Sequence, residues 1–212
     1  LVKKIDLNVE SAIFDITNPV EVDSFFNSIA NKPIDILVNN AYLGNSGSIE
    51  SSTIEDYSSS YDITVTAVHN IVQHALPGLR LAVENNGYAS VINIASMYGM
   101  VSPDLNIYSD KYSANPPFYG SAKAALIQWT KYAACEFGRE GIRFNSISPG
   151  PFPSKYVQKN NKNLVKNIEK KIPMNRIGQP EELVGALIFL AAHSSSYVTG
   201  ANIVVDGGWT AW

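Results

Sequence analysis

Short apolar runs separated by stretches of helical period recur along the whole chain, and that alternation leaves few folds open to it. Ile34–Val38 (IDILV) is apolar almost throughout, as expected of a strand buried on both faces. Val9–Asp15, Ser90–Ala95, Ile142–Ile147 and Asn202–Asp206 read as further strands, the last closed by Gly207 and Gly208. Between them lie helical stretches. Asn18-Pro19-Val20-Glu21 has a capping Asn, Pro in the first turn and Glu three residues after the cap, followed by the apolar stripe Phe25, Phe26, Ile29. Further helices are expected over Ile54–Leu76, over Tyr119–Gly138, and from Pro180, where Leu183, Ala186, Leu187, Leu190 and Ala191 form the buried face. Strands separated by helices imply parallel pairing, right-handed crossovers and helices on both faces of one sheet. The expected fold is a doubly wound α/β domain spanning residues 1–212 as a single unit.

Composition removes several classes of function. Sixteen Lys and Arg against nineteen Asp and Glu give a net charge of −3, with no basic footprint for nucleic acid or anionic lipid. No stretch approaches the roughly 20 apolar residues that span a bilayer, and no basic-then-apolar leader is visible. Cys135 stands alone, so no disulfide forms within the chain, and a reducing, cytoplasmic setting is expected. His69, His74 and His193 are far apart, and no metal site is expected.

The beginning departs from the pattern of a dinucleotide-binding half, which opens with a strand, a Gly-rich turn and a helix. Residues 1–6 (LVKKID) read as the end of a helix, and no G-x-G-x-x-G run occurs in the sequence. Gly44 and Gly47 follow a strand but lead into a polar loop. Either the domain binds no dinucleotide, or this chain lacks a leading βαβ-sized unit of roughly 30 residues.

Tyr119 and Lys123 are four apart on an expected helix, hence one turn apart on one face. A free phenol has a pKa near 10, and an ammonium one turn away would lower it toward use in proton transfer. By itself this spacing is common. Ser96 follows a buried strand at the carboxyl end, where open α/β sheets bind ligands; its hydroxyl either polarises a carbonyl or caps a turn.

In their order along the chain, several segments resemble the short-chain dehydrogenase/reductase family in its single-domain form. They are Asp15-Ile16-Thr17, Asp35-Ile36-Leu37-Val38-Asn39-Asn40-Ala41, Asn93-Ile94-Ala95-Ser96, Tyr119-Gly120-Ser121-Ala122-Lys123, Ile142 to Gly150, Arg176 to Glu182, and Val205-Asp206-Gly207-Gly208. The resemblance implies a Rossmann-like sheet truncated at its N-terminal side, with NAD or NADP as cofactor. It casts Tyr119 as proton donor or acceptor, Lys123 as its partner and a ribose ligand, and Ser96 as holder of the substrate oxygen. It also places Asp15, Ile16, Asn40 and Ala41 at the adenosine side of the cofactor, and Pro149, Gly150, Phe152 and Ser154 near nicotinamide and pyrophosphate. Asn39 and Asn40 could equally be satisfied turn residues, and Asp206 reads as a strand-end cap. The family's helices commonly build a homodimer or homotetramer; Trp129, Trp209 and Trp212 serve either such contacts or the core.

Four departures from the family pattern stand out. The Gly-rich turn is absent, so the chain reads as a fragment of a longer enzyme that by itself holds cofactor weakly or not at all. Thr64 stands where the family has Asn, implying a modified proton relay. Tyr42 follows Asn39-Asn40-Ala41 where Gly is preferred, and its side chain crowds the cofactor unless it turns toward the next loop. Ser96 and Tyr119 are 23 residues apart, longer than usual, and the insert carries Pro103, Pro116, Pro117, Tyr98, Tyr108, Tyr112, Phe118, Asp104 and Asn106. Those flat and polar groups suit a sugar or polyol, although aromatic loops also simply pack. The expected activity is oxidation of a secondary alcohol or reduction of a ketone, on a small-molecule substrate. A 3-oxoacyl thioester is the rival substrate, and a non-catalytic binding module is the rival class.

Overall fold

Asn18 opens the first helix as its context predicts. Its side chain accepts a hydrogen bond from the Val20 N–H at 3.1 Å and donates to Glu21 at 2.8 Å, with Pro19 in the first turn of α1 (Pro19–Ser28). The computed structural model describes residues 9–212; the helix end read in residues 1–6 lies outside the described residues. Four parallel strands form one sheet in the order β1 (Ile36–Asn39), β2 (Ala89–Ile94), β3 (Ile142–Pro149), β4 (Asn202–Val205). The register sets Asn39 beside Asn93, Asn93 beside Ser146, and Ser146 beside Asn202.

Side chains alternate across this sheet, as a period of two requires. Val91 and Phe144 face α1, α3 (Ala67–Asn86) and α4 (Pro117–Phe137), packing with Leu79 and Leu126. Ile92 and Ile147 face α7 (Val184–Ala191), where they meet Leu190. Leu183, Ala186, Leu187 and Ala191 line that second layer as expected, but Pro180–Leu183 is a 3₁₀ turn preceding α7. Two more helices follow, α5 (Lys155–Asn160) and α6 (Lys162–Lys171), and α6 joins a third cluster around Met97, Ile107, Ile172 and Trp209 through Leu164, Val165 and Ile168. No helix among the described residues is long and apolar enough to cross a membrane.

Three sequence expectations are corrected. Residues 9–15 are not a strand: Ile13 is fully exposed, and the Asp15 N–H bonds to the Glu21 carboxylate at 2.8 Å in place of a neighbouring strand. The apolar alternation of that run is used locally, with Phe14 stacked on Phe25 at 4.7 Å. β1 is an edge strand rather than one buried on both faces, with Ile36 and Val38 46% and 39% exposed. The helix expected to end at Leu76 begins as α2 (Ile54–Tyr61), passes through a π-helical turn at Asp62–Thr66 and continues through Pro77 to Asn86. Pro77 removes one N–H from the ladder, yet the buried positions Val72, Ala75, Leu79 and Ala82 hold the helix in place. Gly87 then ends it in the left-handed region, at φ 82°.

Candidate active site

The carboxyl ends of β2 and β3 and the first turns of α4 meet at one edge of the sheet. Pro117 stands in the first turn of α4, where its missing N–H costs nothing, so the helix starts early enough to bring Tyr119 and Lys123 round to face Ser96. The Lys123 ammonium is buried. It donates to the Ile94 carbonyl at 2.6 Å and lies 5.8 Å from the centre of the Tyr119 ring. Ser96 is buried two residues past β2, and its hydroxyl accepts a hydrogen bond from the Tyr98 N–H at 3.2 Å, so the cap reading of Ser96 is realised too.

The electrostatics differ from the simple expectation. Burial raises the Tyr119 phenol above its ordinary value, and the Ser96 hydroxyl offsets only part of that rise. Burial also lowers Lys123, to about 8. Desolvation disfavours both charged forms. Tyr119 is therefore a neutral phenol at physiological pH, poised to donate a proton.

Thr64 sits in the π-helical turn, a device common at functional sites. It is 1% exposed and its Oγ1 has no hydrogen-bond partner among the described residues. Ser60, one turn earlier on the same face, donates to the Phe118 carbonyl at 3.3 Å and so ties α2 to the start of α4. Tyr42 crosses the site: its ring meets that of Tyr119 edge-on at 4.7 Å and 71°.

The remaining candidates are spread along the same edge. The Asp15 side chain accepts from the Thr17 N–H and hydroxyl at 2.8 and 2.7 Å, which holds its carboxyl below the usual range. Asp15 and Ile16 line a cavity of about 670 Å³ together with Leu43, Ser59, Asp62 and Thr66. Asn40 and Ala41 are exposed just past β1, whereas Asn39 is buried and donates to Asn93 at 2.8 Å. Asn93 in turn donates to Thr130 at 2.9 Å. Pro149 ends β3. A Cβ on Gly150 would come within 2.4 Å of the Asp206 Cα, so only glycine permits this approach of the β3 and β4 ends. Phe152 packs its ring against Gly178, and Ser154 caps α5. Asp206 is the strand-end cap, accepting from Gly208 N–H, Thr210 N–H and the Thr210 hydroxyl.

The insert between Ser96 and Tyr119 is built from short 3₁₀ turns capped by Asp104 and Asp110. Most of its aromatic rings are spent on packing. Tyr98 and Tyr108 share a 3.2 Å hydrogen bond, Tyr98 meets Trp209, and Phe118 is buried. Asp104 is occupied by Asn106 and Lys171. Beside them a second cavity, of about 640 Å³, has walls that include Ile49, Met100, Val101, Leu105, Pro116 and Gly120. The Ile94 carbonyl carries no residue-type signal in a sequence. Ser60 had one, its spacing of four from Thr64.

A family model described as enoyl-(acyl carrier protein) reductase matches residues 1–210. The chain belongs to the short-chain dehydrogenase/reductase family. It is 35% identical over 178 residues to the rhamnolipids biosynthesis 3-oxoacyl-(acyl-carrier-protein) reductase of Pseudomonas aeruginosa, a match covering 83% of this chain and 66% of that protein. The chain thus spans about two thirds of the length of that relative. A short-chain dehydrogenase of Leptospira borgpetersenii with bound NAD+ superposes with a TM-score of 0.82 at 32% identity, over 98% of this chain and 79% of that one. A gluconate 5-dehydrogenase of Burkholderia cenocepacia in complex with NADP and tartrate gives 0.82 at 26% identity, over 95% and 75%.

Proposed function

We propose that this short-chain dehydrogenase/reductase interconverts a ketone and a secondary alcohol with NAD or NADP. The observation that carries the reading is the convergence of Ser96, Tyr119 and Lys123 at the carboxyl edge of the sheet. The chain's residues fit such a cofactor at two places. Lys123 spends one of its three N–H donors on Ile94, leaving donors for a ribose diol, and the Thr64 hydroxyl nearby is buried and unpartnered. Asp15 and Ile16 border a cavity roomy enough for an adenine. Pro149, Gly150, Phe152 and Ser154 complete the proposed cofactor side, with Asn40 and Ala41 at the adenosine end. The bound nicotinamide supplies or accepts the hydride.

The protein's part is proton transfer. The Ser96 hydroxyl holds the substrate oxygen, the Tyr119 phenol gives that oxygen its proton, and the Lys123 ammonium stabilises the phenolate left behind. Oxidation runs the same transfers in reverse. Thr64 replaces an amide in the route that reprotonates Lys123. Because Lys123 loses its charge near pH 8, turnover in the reducing direction is expected to fall as pH rises through about 8. The stability effect has the opposite sense. Between about pH 8 and the ordinary lysine value the unfolded chain binds the extra proton, so the fold gains stability with pH across that window. A kcat profile from pH 6 to 10 with no descending limb near 8 would remove Lys123 from this role.

The largely apolar cavity beside α4 favours a carbonyl compound with an apolar chain, in keeping with the 3-oxoacyl-carrier-protein reductase among the relatives. A sugar-like or polyol substrate, as for the gluconate 5-dehydrogenase relative, has less support because the insert's aromatic and acidic groups are already engaged. Short and medium 3-oxoacyl thioesters separate the two. Each CH₂ that enters the cavity is worth about 0.8 kcal/mol, so kcat/KM should rise about fourfold per CH₂. A flat chain-length profile with better turnover of a keto-sugar acid overturns this preference. Exposed Ile54, Tyr57 and Tyr132 on α2 and α4 support association into a homodimer or homotetramer.

A further inference from the structure

Tyr42 is held across the front of the proton-transfer pair by two contacts. Its ring lies edge-to-face with Tyr119 at 4.7 Å, and its face receives the Lys123 ammonium at 5.5 Å. The placement depends on Gly44. A Cβ there would stand 2.1 Å from the Tyr42 hydroxyl oxygen and 2.7 Å from the ring carbon that bears it. The loop therefore supplies both the aromatic side chain and the vacancy beside it. Burial pushes the Tyr42 phenol up to about 12, so it stays neutral at physiological pH and no proton is needed to seat or release it. What holds the ring is the desolvated ammonium, whose remaining N–H donors have the aromatic face as their neighbour, together with the edge-to-face contact with Tyr119.

We infer that Tyr42 is a gate on the cofactor side of the site: its ring covers Lys123 and Tyr119, and the nicotinamide end of the cofactor reaches them only by displacing it. This inference rests on the cofactor reading above. The gate sets affinity for the nicotinamide half of the cofactor and leaves the adenine half alone, because Asp15 and Ile16 line a separate cavity in which Tyr42 takes no part. A residue that only packs the loop would not divide the cofactor in this way.

Isothermal titration of the 212-residue chain with NADH and, separately, with AMP tests the inference on wild type, Tyr42→Ala, Tyr42→Phe and Gly44→Ala. Tyr42→Ala removes the ring; Gly44→Ala keeps it and drives it from its seat. Both are expected to tighten NADH binding at least tenfold, about 1.4 kcal/mol, with AMP binding unchanged. Tyr42→Phe retains the ring and should match wild type. Labelling of Lys123 by an amine reagent, read by mass spectrometry without cofactor, should accelerate in Tyr42→Ala and Gly44→Ala alike. Equal NADH affinity in wild type and Tyr42→Ala overturns the gate and leaves the cofactor reading intact. An equal gain for NADH and AMP overturns it as well, since the whole edge would then have loosened. Absence of NADH binding by every variant overturns the gate, since removing the ring then opens nothing, and leaves the cofactor reading standing, because a chain without the Gly-rich turn is expected to bind weakly or not at all by itself.

Discussion

Tyr119→Phe is expected to lower carbonyl reduction by about 10²–10⁴-fold in kcat while leaving the fold and its melting temperature close to wild type. The substitution removes one oxygen and nothing else. The ring keeps its edge-to-face contact with Tyr42, and Lys123 keeps its bond to the Ile94 carbonyl. What disappears is the phenol that faces Ser96, which burial keeps protonated at neutral pH. Lys123 cannot substitute directly, since its ammonium is anchored at Ile94 behind the ring. Steady-state turnover of a 3-oxoacyl thioester, monitored through NADPH absorbance, measures the effect. Turnover within threefold of wild type would mean that the proton comes from elsewhere. A protein that turns over nothing, yet binds an unchanged partner in both forms, would be the binding module that is the alternative to an enzyme.

The layered architecture was legible because it depends on periodicity alone. The runs at Ser90–Ala95 and Ile142–Ile147 became β2 and β3 nearly residue for residue, since both sit in the sheet interior, where all but the last residue of each strand is buried. The runs at 9–15 and 34–38 have the same local character, but their fate is set by neighbours. β1 pairs on one side only, and 9–15 pairs with no strand among the described residues. A pattern of side chains cannot tell a strand how many partners it will have.

The site shows the same division. Spacing put Tyr119 and Lys123 on one helix face, and position after a strand put Ser96 near them, because both are consequences of local geometry. The sign of the Tyr119 shift was not local. An ammonium nearby argues for a lowered phenol, but desolvation acts on both groups and wins for both. Burial is a property of everything packed around the pair, including Tyr42, which arrives from a loop some eighty residues away in sequence. The insert fails for a related reason. Its rings looked available because their partners, Trp209 and Ile168, lie far along the chain.

Arg143→Met is expected to destabilise the domain by about 3 kcal/mol, with a melting temperature lower by roughly 6–12 °C for a chain of this size. Arg143 lies within β3, where an apolar residue is the ordinary choice, and it is 6% exposed. Among the described residues no carboxylate pairs with it. Instead its guanidinium donates to the Ser195 hydroxyl and the Leu190 carbonyl, each at 2.9 Å, and more loosely to the Val198 and Ala192 carbonyls at 3.4 and 3.5 Å. Those acceptors are the carboxyl end of α7 and the turn after it, where unpaired carbonyls and the helix dipole concentrate negative charge. The cation thus stands in for a helix cap and fastens α7 to the sheet across the second core layer. Methionine keeps the length and the apolar stem but supplies no donors. The Leu190 carbonyl retains the Ser90 hydroxyl at 2.8 Å, so the loss falls on the charge-assisted bonds rather than on a fully orphaned acceptor. Lysine should recover only part of the stability, because three donors on one nitrogen cannot span acceptors that the guanidinium fork reaches from two. Urea unfolding of the three proteins gives the order directly: wild type, then Lys, then Met. Were Met within 1 kcal/mol of wild type, the packing of Leu190 against Ile92 and Ile147, rather than the guanidinium, would be what holds α7 in place.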